Sequence, residues 1–147
     1  MATGNRARQK TGAAEQAMVS LLMVAGRVQQ ALGDVCAARG ITHDQYNVLR
    51  ILRGVHPEGH PRYEIAQRLI SRAPDVTRLL DRLEVQGLVE RVRSAEDRRL
   101  SLSRITDHGL AVLEDLDPDV LAVHESVAAP LSAAERRQLV RLCSAMR

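Results

Sequence analysis

The sequence predicts a mainly α-helical chain of the α+β class, in which one short β-hairpin interrupts a series of helices. Three observations lead there. There is no Phe or Trp and only two tyrosines, Tyr46 and Tyr63, so the core is built from Leu, Val, Ile, Ala and Met. Leu- and Ala-rich cores suit helices better than sheets. Apolar residues recur at spacings of three and four along most of the chain, and the spacing falls to two only around residues 88–105. With 147 residues, 45% of them hydrophobic, the chain is long enough to bury a core without metals or disulfides.

Each element has its own signal. Residues 1–12 are small, polar and basic and read as a flexible tail. From Ala13, the series Ala14, Ala17, Met18, Leu21, Leu22, Ala25, Val28, Leu32, Val35 and Cys36 predicts one long helix. It ends near Arg39, with Gly40 as its left-handed stop. Thr42 and Gln45 have capping-box spacing and open a second helix, which Gly54 stops. Residues 56–61 read as a loop. A short helix fits Tyr63–Ile70, with Ile65, Ala66 and Leu69 facing inward. A further helix runs from about Ala73 to Gln86, with Pro74 and Asp75 in its first turn, a stripe of Val76, Leu79, Leu80 and Leu83, and Gly87 as its stop.

Leu88–Arg93 then reads as a strand, residues 94–99 as a polar turn, and Leu100, Leu102 and Arg104-Ile105 as the alternating positions of a returning strand. Thr106 caps another long helix with Leu110, Val112, Leu113 and Leu116 inside. Asp117-Pro118 predicts a kink or break in it. Ser132 and Glu135 form a second capping box before a last helix whose stripe is Leu139, Val140, Leu142 and Cys143.

Charge is unevenly distributed. Net charge is +3, yet residues 62–104 hold ten arginines against seven carboxylates, whereas residues 105–147 hold four against seven. Lys10 is the only lysine, so the positive charge is guanidinium, which suits bidentate phosphate and base-edge contacts. Cys36 and Cys143 are far apart, lie in no CxxC pair and fall on apolar stripes, the usual place of inert thiols. His43, His56, His60, His108 and His124 are scattered, with no pair at i,i+4 on one helix, so no metal site and no cofactor is expected. No GxSxG, phosphate-cradling glycine loop or HExxH occurs, and no enzyme is expected. The absence of an apolar leader and of a long apolar run predicts a cytoplasmic protein with no membrane partner.

Two short helices about a tight turn, followed by a two-stranded hairpin, is the order of a winged helix-turn-helix. An α-helix fits the DNA major groove, where base edges carry a distinct donor and acceptor code. The helix after the turn would enter it and present Arg72, Ala73, Pro74, Thr77, Arg78 and Arg82. The hairpin tip, Asp97, Arg98 and Arg99, would place guanidinium groups at a neighbouring minor groove, whose negative potential attracts them. The partner this predicts is double-stranded DNA.

Val76-Thr-Arg-Leu-Leu-Asp-Arg-Leu-Glu84, Gly87-Leu-Val-Glu-Arg91, Asp97-Arg-Arg99 and Ile105-Thr-x-x-Gly109 together resemble the MarR family of bacterial regulators, with Ile41-Thr-x-x-Gln45 and Leu131-Ser-x-x-Glu135 matching at the flanks. The resemblance implies a homodimer joined through its end helices, residues 13–40 and 107–147. It implies a DNA-binding lobe at residues 41–106, and a small-molecule effector held between the two regions. It also implies that Arg99 enters the minor groove while Asp97 holds it in place, and that the chain is a repressor on a pseudo-palindromic operator. Arg72 stands where the family usually has a Ser or Asp cap, Pro74 is inserted just after it, and Leu100 follows the wing arginine where a small residue is common. On sequence alone two alternatives stay open: a helical dimer that binds another protein through its acidic end, and a redox- or metal-responsive switch on the same scaffold.

Overall fold

The computed structural model describes residues 12–70 and 75–147. Six helices and three short strands follow one another: α1 (Ala13–Ala37), α2 (His43–Arg53), β1 (His60–Pro61), α3 (Arg62–Arg68), α4 (Val76–Val85), β2 (Val89–Arg93), β3 (Ser101–Ile105), α5 (Asp107–Ala128) and α6 (Ala133–Ala145). The strands form one antiparallel sheet in the order β1-β3-β2. The fold is a winged helix-turn-helix carried between long helices.

Two glycines fix the direction of the chain. After α1, Gly40 takes φ 72°, its N–H donates to Ala37 O at 3.0 Å, and the N–H of Ile41 donates to Cys36 O at 3.3 Å. After α4, Gly87 takes φ 71°, its N–H donates to Glu84 O and that of Leu88 to Leu83 O, both at 2.9 Å. Both are Schellman closures, which require a residue with no Cβ penalty in the left-handed region. Each folds an apolar residue just past the glycine, Ile41 or Leu88, into the core beside one on the last turn, Cys36 or Leu83. Both capping boxes form as the sequence predicts, Thr42 with Gln45 and Ser132 with Glu135.

The core lies where α2, α4, the sheet and the middle of α5 meet. Val48, Leu49, Leu52, Ile65, Leu83, Leu113 and Leu116 are fully buried there. The long helices α1 and α5 pack against each other through Leu32, Cys36, Leu116 and Val120. Arg39 ties the end of α1 to Asp115 at 2.8 Å and Asp119 at 2.9 Å. Arg53 ties the end of α2 to Asp117 with two hydrogen bonds, of 2.7 and 3.2 Å.

Several expectations need correction. Of the kink or break expected at Asp117-Pro118, the break does not occur: helix α5 runs through Pro118. Leu116 and Val120 are buried on either side of the proline, and Arg39 pairs with Asp115 and Asp119 on both sides of it, so packing and ion pairs span the place where the proline forfeits a helical hydrogen bond. The expected loop ends in a strand, β1, which pairs His60 with Ser103 and Pro61 with Leu102. β1 lies at a sheet edge, where a proline forfeits no central ladder bond. Gly59 brings it in: a Cβ there would sit 2.5 Å from Ser103 O. On β3 the buried positions are Ser103 and Ile105, while Leu100 is exposed and lies before the strand. The end of the short helix, Leu69, is already extended, and Ala66 is exposed. Helix α4 starts at Val76 with Asp75 as its N-cap, later than the expected start at Ala73.

The end helices are unlike the core. No residue of α6 is buried, and Leu139, Val140, Leu142 and Met146 face outward. In the first half of α1, Met18, Leu22, Met23 and Val24 are exposed; only Leu32 and Cys36 of this helix are buried. The expected burial of Cys143 is incomplete in the isolated chain, where it is half-exposed. Among the described residues, no helix is long and apolar enough to cross a membrane.

Candidate nucleic-acid interface

Helix α4 has one apolar face and one polar face. Val76, Leu80 and Leu83 hold it to the core, and Leu79 packs partly against them. The opposite face presents Thr77, Arg78, Asp81, Arg82 and Val85 to solvent. Asp75 anchors the amino end, where its carboxylate accepts the Arg78 N–H at 3.2 Å. A carboxylate at that place also suits the positive end of the helix dipole. The cap that the sequence lacks at Arg72 is therefore supplied three residues later. Arg72, Ala73 and Pro74 themselves lie outside the described residues.

The hairpin tip is ordered by its own side chains. Ser94 Oγ accepts the N–H groups of Glu96 at 3.3 Å and Asp97 at 3.2 Å. Asp97 Oδ1 accepts the backbone N–H of Arg99 at 2.9 Å, and its carbonyl accepts the N–H of Leu100 at 2.9 Å. Asp97 thus holds Arg99 by its backbone, which leaves the guanidinium to project. Arg93 Nη1 donates to Arg98 O at 3.0 Å and braces the tip from the strand below.

The pairing of arginines divides them into two groups. Arg91 on β2 pairs with Asp81 and, at 3.4 Å, with Glu84, so it ties the wing to α4. Arg104 pairs with Glu90 at 2.6 Å across the sheet, and Arg68 with Glu64 at 3.6 Å. Arg78, Arg82, Arg98 and Arg99 have no carboxylate partner among the described residues. Asp81 is taken by Arg91 and does not pair with Arg82, its neighbour in sequence. Among the described residues of the lobe, Arg53, Arg68, Arg91 and Arg104 pair with carboxylates; Arg78 and Arg82 on the outer face of α4 and Arg98 and Arg99 at the wing tip do not, and neither do Arg50, Arg62 and Arg93. Thr77 of α4 lines the same crevice as Leu100 and Ser101 at the base of the wing, which puts the two features side by side.

Arg91 and Arg62 make contacts with α4 that the sequence alone does not assign. Arg62 Nη1 donates to Thr77 Oγ1 at 3.2 Å. Both contacts join separate elements, and neither has a periodic signature. Among the described residues no group of three or more His, Cys, Asp or Glu side chains is arranged to hold a metal ion. His60 is buried, with Nδ1 2.8 Å from Glu64. Cys36 is fully buried, and burial pushes its thiol pKa up.

Comparison with known proteins agrees with the winged helix-turn-helix fold. The family model described as MarR family matches residues 41–101. The crystal structure of a MarR transcription factor from Planctomyces limnophilus is 38% identical, covers 90% of this chain and 96% of its own, and superposes with a TM-score of 0.70. The chain belongs to the MarR family. The regulator MhqR of Bacillus subtilis (strain 168) is 29% identical over 107 residues, 73% of this chain and 70% of its own. Bordetella bronchiseptica BpsR, solved to explain how 6-hydroxynicotinic acid regulates its DNA binding, is 24% identical, with a TM-score of 0.79 over 92% of this chain and 95% of its own. As a MarR-family member the protein is a DNA-binding transcription regulator and not an enzyme.

Proposed function

We propose that the protein is a homodimeric, ligand-responsive repressor that binds a pseudo-palindromic operator through α4 and the wing. The observation that carries this is that Arg78 and Arg82 on the outer face of α4, and Arg98 and Arg99 at the wing tip, are exposed and have no carboxylate partner among the described residues. Unpaired arginines on an exposed ridge are the expected footprint of phosphate and base-edge contacts. In this reading Arg78 and Thr77 face base edges in the major groove, and Arg82 reaches the flanking phosphates. Arg72, Ala73 and Pro74, which precede α4 in sequence, contribute to the same DNA contacts. Arg99, with Arg98, enters the minor groove while Asp97 fixes its backbone. Residues 41–106 are the DNA-reading lobe, and residues 1–12 a basic tail.

The dimer rests on a second observation. Met18, Leu22, Met23 and Val24 of α1, and Leu139, Val140 and Leu142 of α6, are exposed apolar side chains on two helices that reach beyond the lobe. A second copy covering residues 13–40 and 107–147 would bury them, as an extensive apolar patch requires. Two-fold symmetry of the protein then demands two-fold symmetry of the site, with half-sites about one helical turn apart. The effector is a small molecule, and the control of BpsR by 6-hydroxynicotinic acid supports ligand control on this fold. Such an effector acts by binding the DNA-competent and DNA-incompetent spacings of the two lobes with different affinity.

The test is a DNA-binding titration near physiological salt on the duplex upstream of the protein's own gene. A shuffled duplex of equal composition is the control, and sedimentation gives the oligomeric state. Tight binding to the first duplex by a two-chain species is expected. Absence of binding to either duplex at low salt, or a monomer at micromolar concentration, contradicts the reading.

A further inference from the structure

Arg62 is the first residue of α3, and its side chain is exposed. A cation there sits at the positive end of a helix dipole, which is unfavourable. No carboxylate pairs with it among the described residues; Glu64, two residues on, is engaged by His60 and Arg68. The one bond it makes there is to Thr77 Oγ1, on the outer side of the first turn of α4. Its place is thus poorly explained by the stability of the fold, and it points to the surface that reads DNA.

Chemistry then fixes what Thr77 offers. A guanidinium has donors and no acceptor, so Arg62 donates and the hydroxyl oxygen accepts. The single hydroxyl proton turns away from the cation. Thr77 is exposed beside the crevice of about 390 Å³ between α3, α4 and the wing, which Arg62, Tyr63 and Leu100 also line. We infer that Arg62 is a specificity-determining positioning residue: it polarises Thr77 into a hydrogen-bond donor that reads an acceptor on a base edge in each half-site. Base acceptors in the major groove are guanine N7 and O6, adenine N7 and thymine O4, so cytosine is the base that Thr77 disfavours. This deepens the proposed function and rests on α4 occupying the groove.

The experiment is selection of binding sites from a random duplex library with the full chain. Wild type, Arg62→Ala, Thr77→Val, Thr77→Ser and the Arg62→Ala/Thr77→Val double variant are run in parallel after their folding is checked by circular dichroism. Wild type enriches a two-fold motif. Arg62→Ala and Thr77→Val each lower discrimination at the same base pair of each half-site by about fivefold, the worth of one hydrogen bond. The double variant loses no more than either single one, and Thr77→Ser keeps the wild-type preference. If Arg62→Ala keeps every wild-type base preference and only weakens binding uniformly, Arg62 is a phosphate contact and the inference is overturned. Retention of the preference by Thr77→Val overturns it too. If the wild type enriches no sequence at all, the proposed function itself fails.

Discussion

Replacing Gly109 by alanine tests why the Ile105-Thr-x-x-Gly109 motif ends in glycine. Gly109 lies in the first turn of α5, where its N–H donates to Thr106 Oγ1 at 3.1 Å. Thr106 in turn donates its hydroxyl to Gly87 O at 2.7 Å and its N–H to Leu88 O at 3.1 Å. The turn after α4, the root of the wing and the start of α5 are therefore tied at one point. A Cβ on residue 109 would lie well inside van der Waals contact of Leu88 O and 2.6 Å from Ile105 Cγ1. One obstacle is backbone already held by Thr106, and the other is a fully buried side chain, so relief means moving the knot. Overpacking of this kind costs about 1–3 kcal/mol. Loss of the cap or of the Thr106–Leu88 bond adds about 1 kcal/mol each. Alanine's helix propensity returns about 1 kcal/mol. With one of those bonds lost, the expected net loss is about 1–3 kcal/mol, or a melting temperature lower by about 3–10 °C for a chain of this length. Thermal and urea unfolding followed by circular dichroism, at equal protein concentration, measure it. A Gly109→Ala variant as stable as the wild type would refute the close approach of α5 to Leu88.

Cys36 is buried within the single chain and its thiol pKa is raised, so a thiol reagent at neutral pH leaves it unmodified until the protein unfolds; fast labelling of Cys36 would place α1 wrongly. Burial lowers the pKa of His43 below its ordinary value of about 6.5, with Arg50 and His124 adding to the effect against the pull of Asp44. The unfolded chain then takes up the proton first, so stability present above pH 6.5 declines as pH falls toward the lower folded value. His43→Gln flattens that decline, and an unchanged pH profile of urea midpoints would count against it. Asp117→Ala removes the paired hydrogen bonds from Arg53 and costs about 1 kcal/mol, a figure held low because both groups are partly exposed; no change in the urea midpoint would show that the tie between α2 and α5 is idle.

The parts of the fold that were legible in the sequence are those specified locally. Gly40 and Gly87 close helices because their neighbours supply the two bonds of a Schellman turn. Thr42 with Gln45 and Ser132 with Glu135 cap within four residues. What was not legible is set at longer range. β1 has two residues, one of them proline, and carries no period; it exists because Gly59 lets the chain approach β3. Ser103 is buried because β3 is the middle strand, a fact of topology that hydropathy alone assigns to Leu100 and Leu102. Pro118 looks like a break until Arg39 is seen bridging it.

The candidate interface divides in the same way. Arg78, Asp97 and Arg99 could be named from motif spacing. The removal of Arg91 and Arg104 from the pool of available cations, and the bond from Arg62 to Thr77, follow only from how α3, α4 and the sheet are packed. The α6 stripe was visible as a period, yet a single chain leaves it uncovered.

DNA binding is proposed to rest on the guanidiniums of α4 and the wing tip. The salt dependence of affinity for the upstream duplex, measured for wild type and Arg99→Ala, tests it most directly. A steep linear fall of log K with log salt is expected for the wild type, and a slope smaller by about 1 for each copy of the arginine removed. An unchanged slope, or no salt-dependent affinity in the wild type, would contradict it.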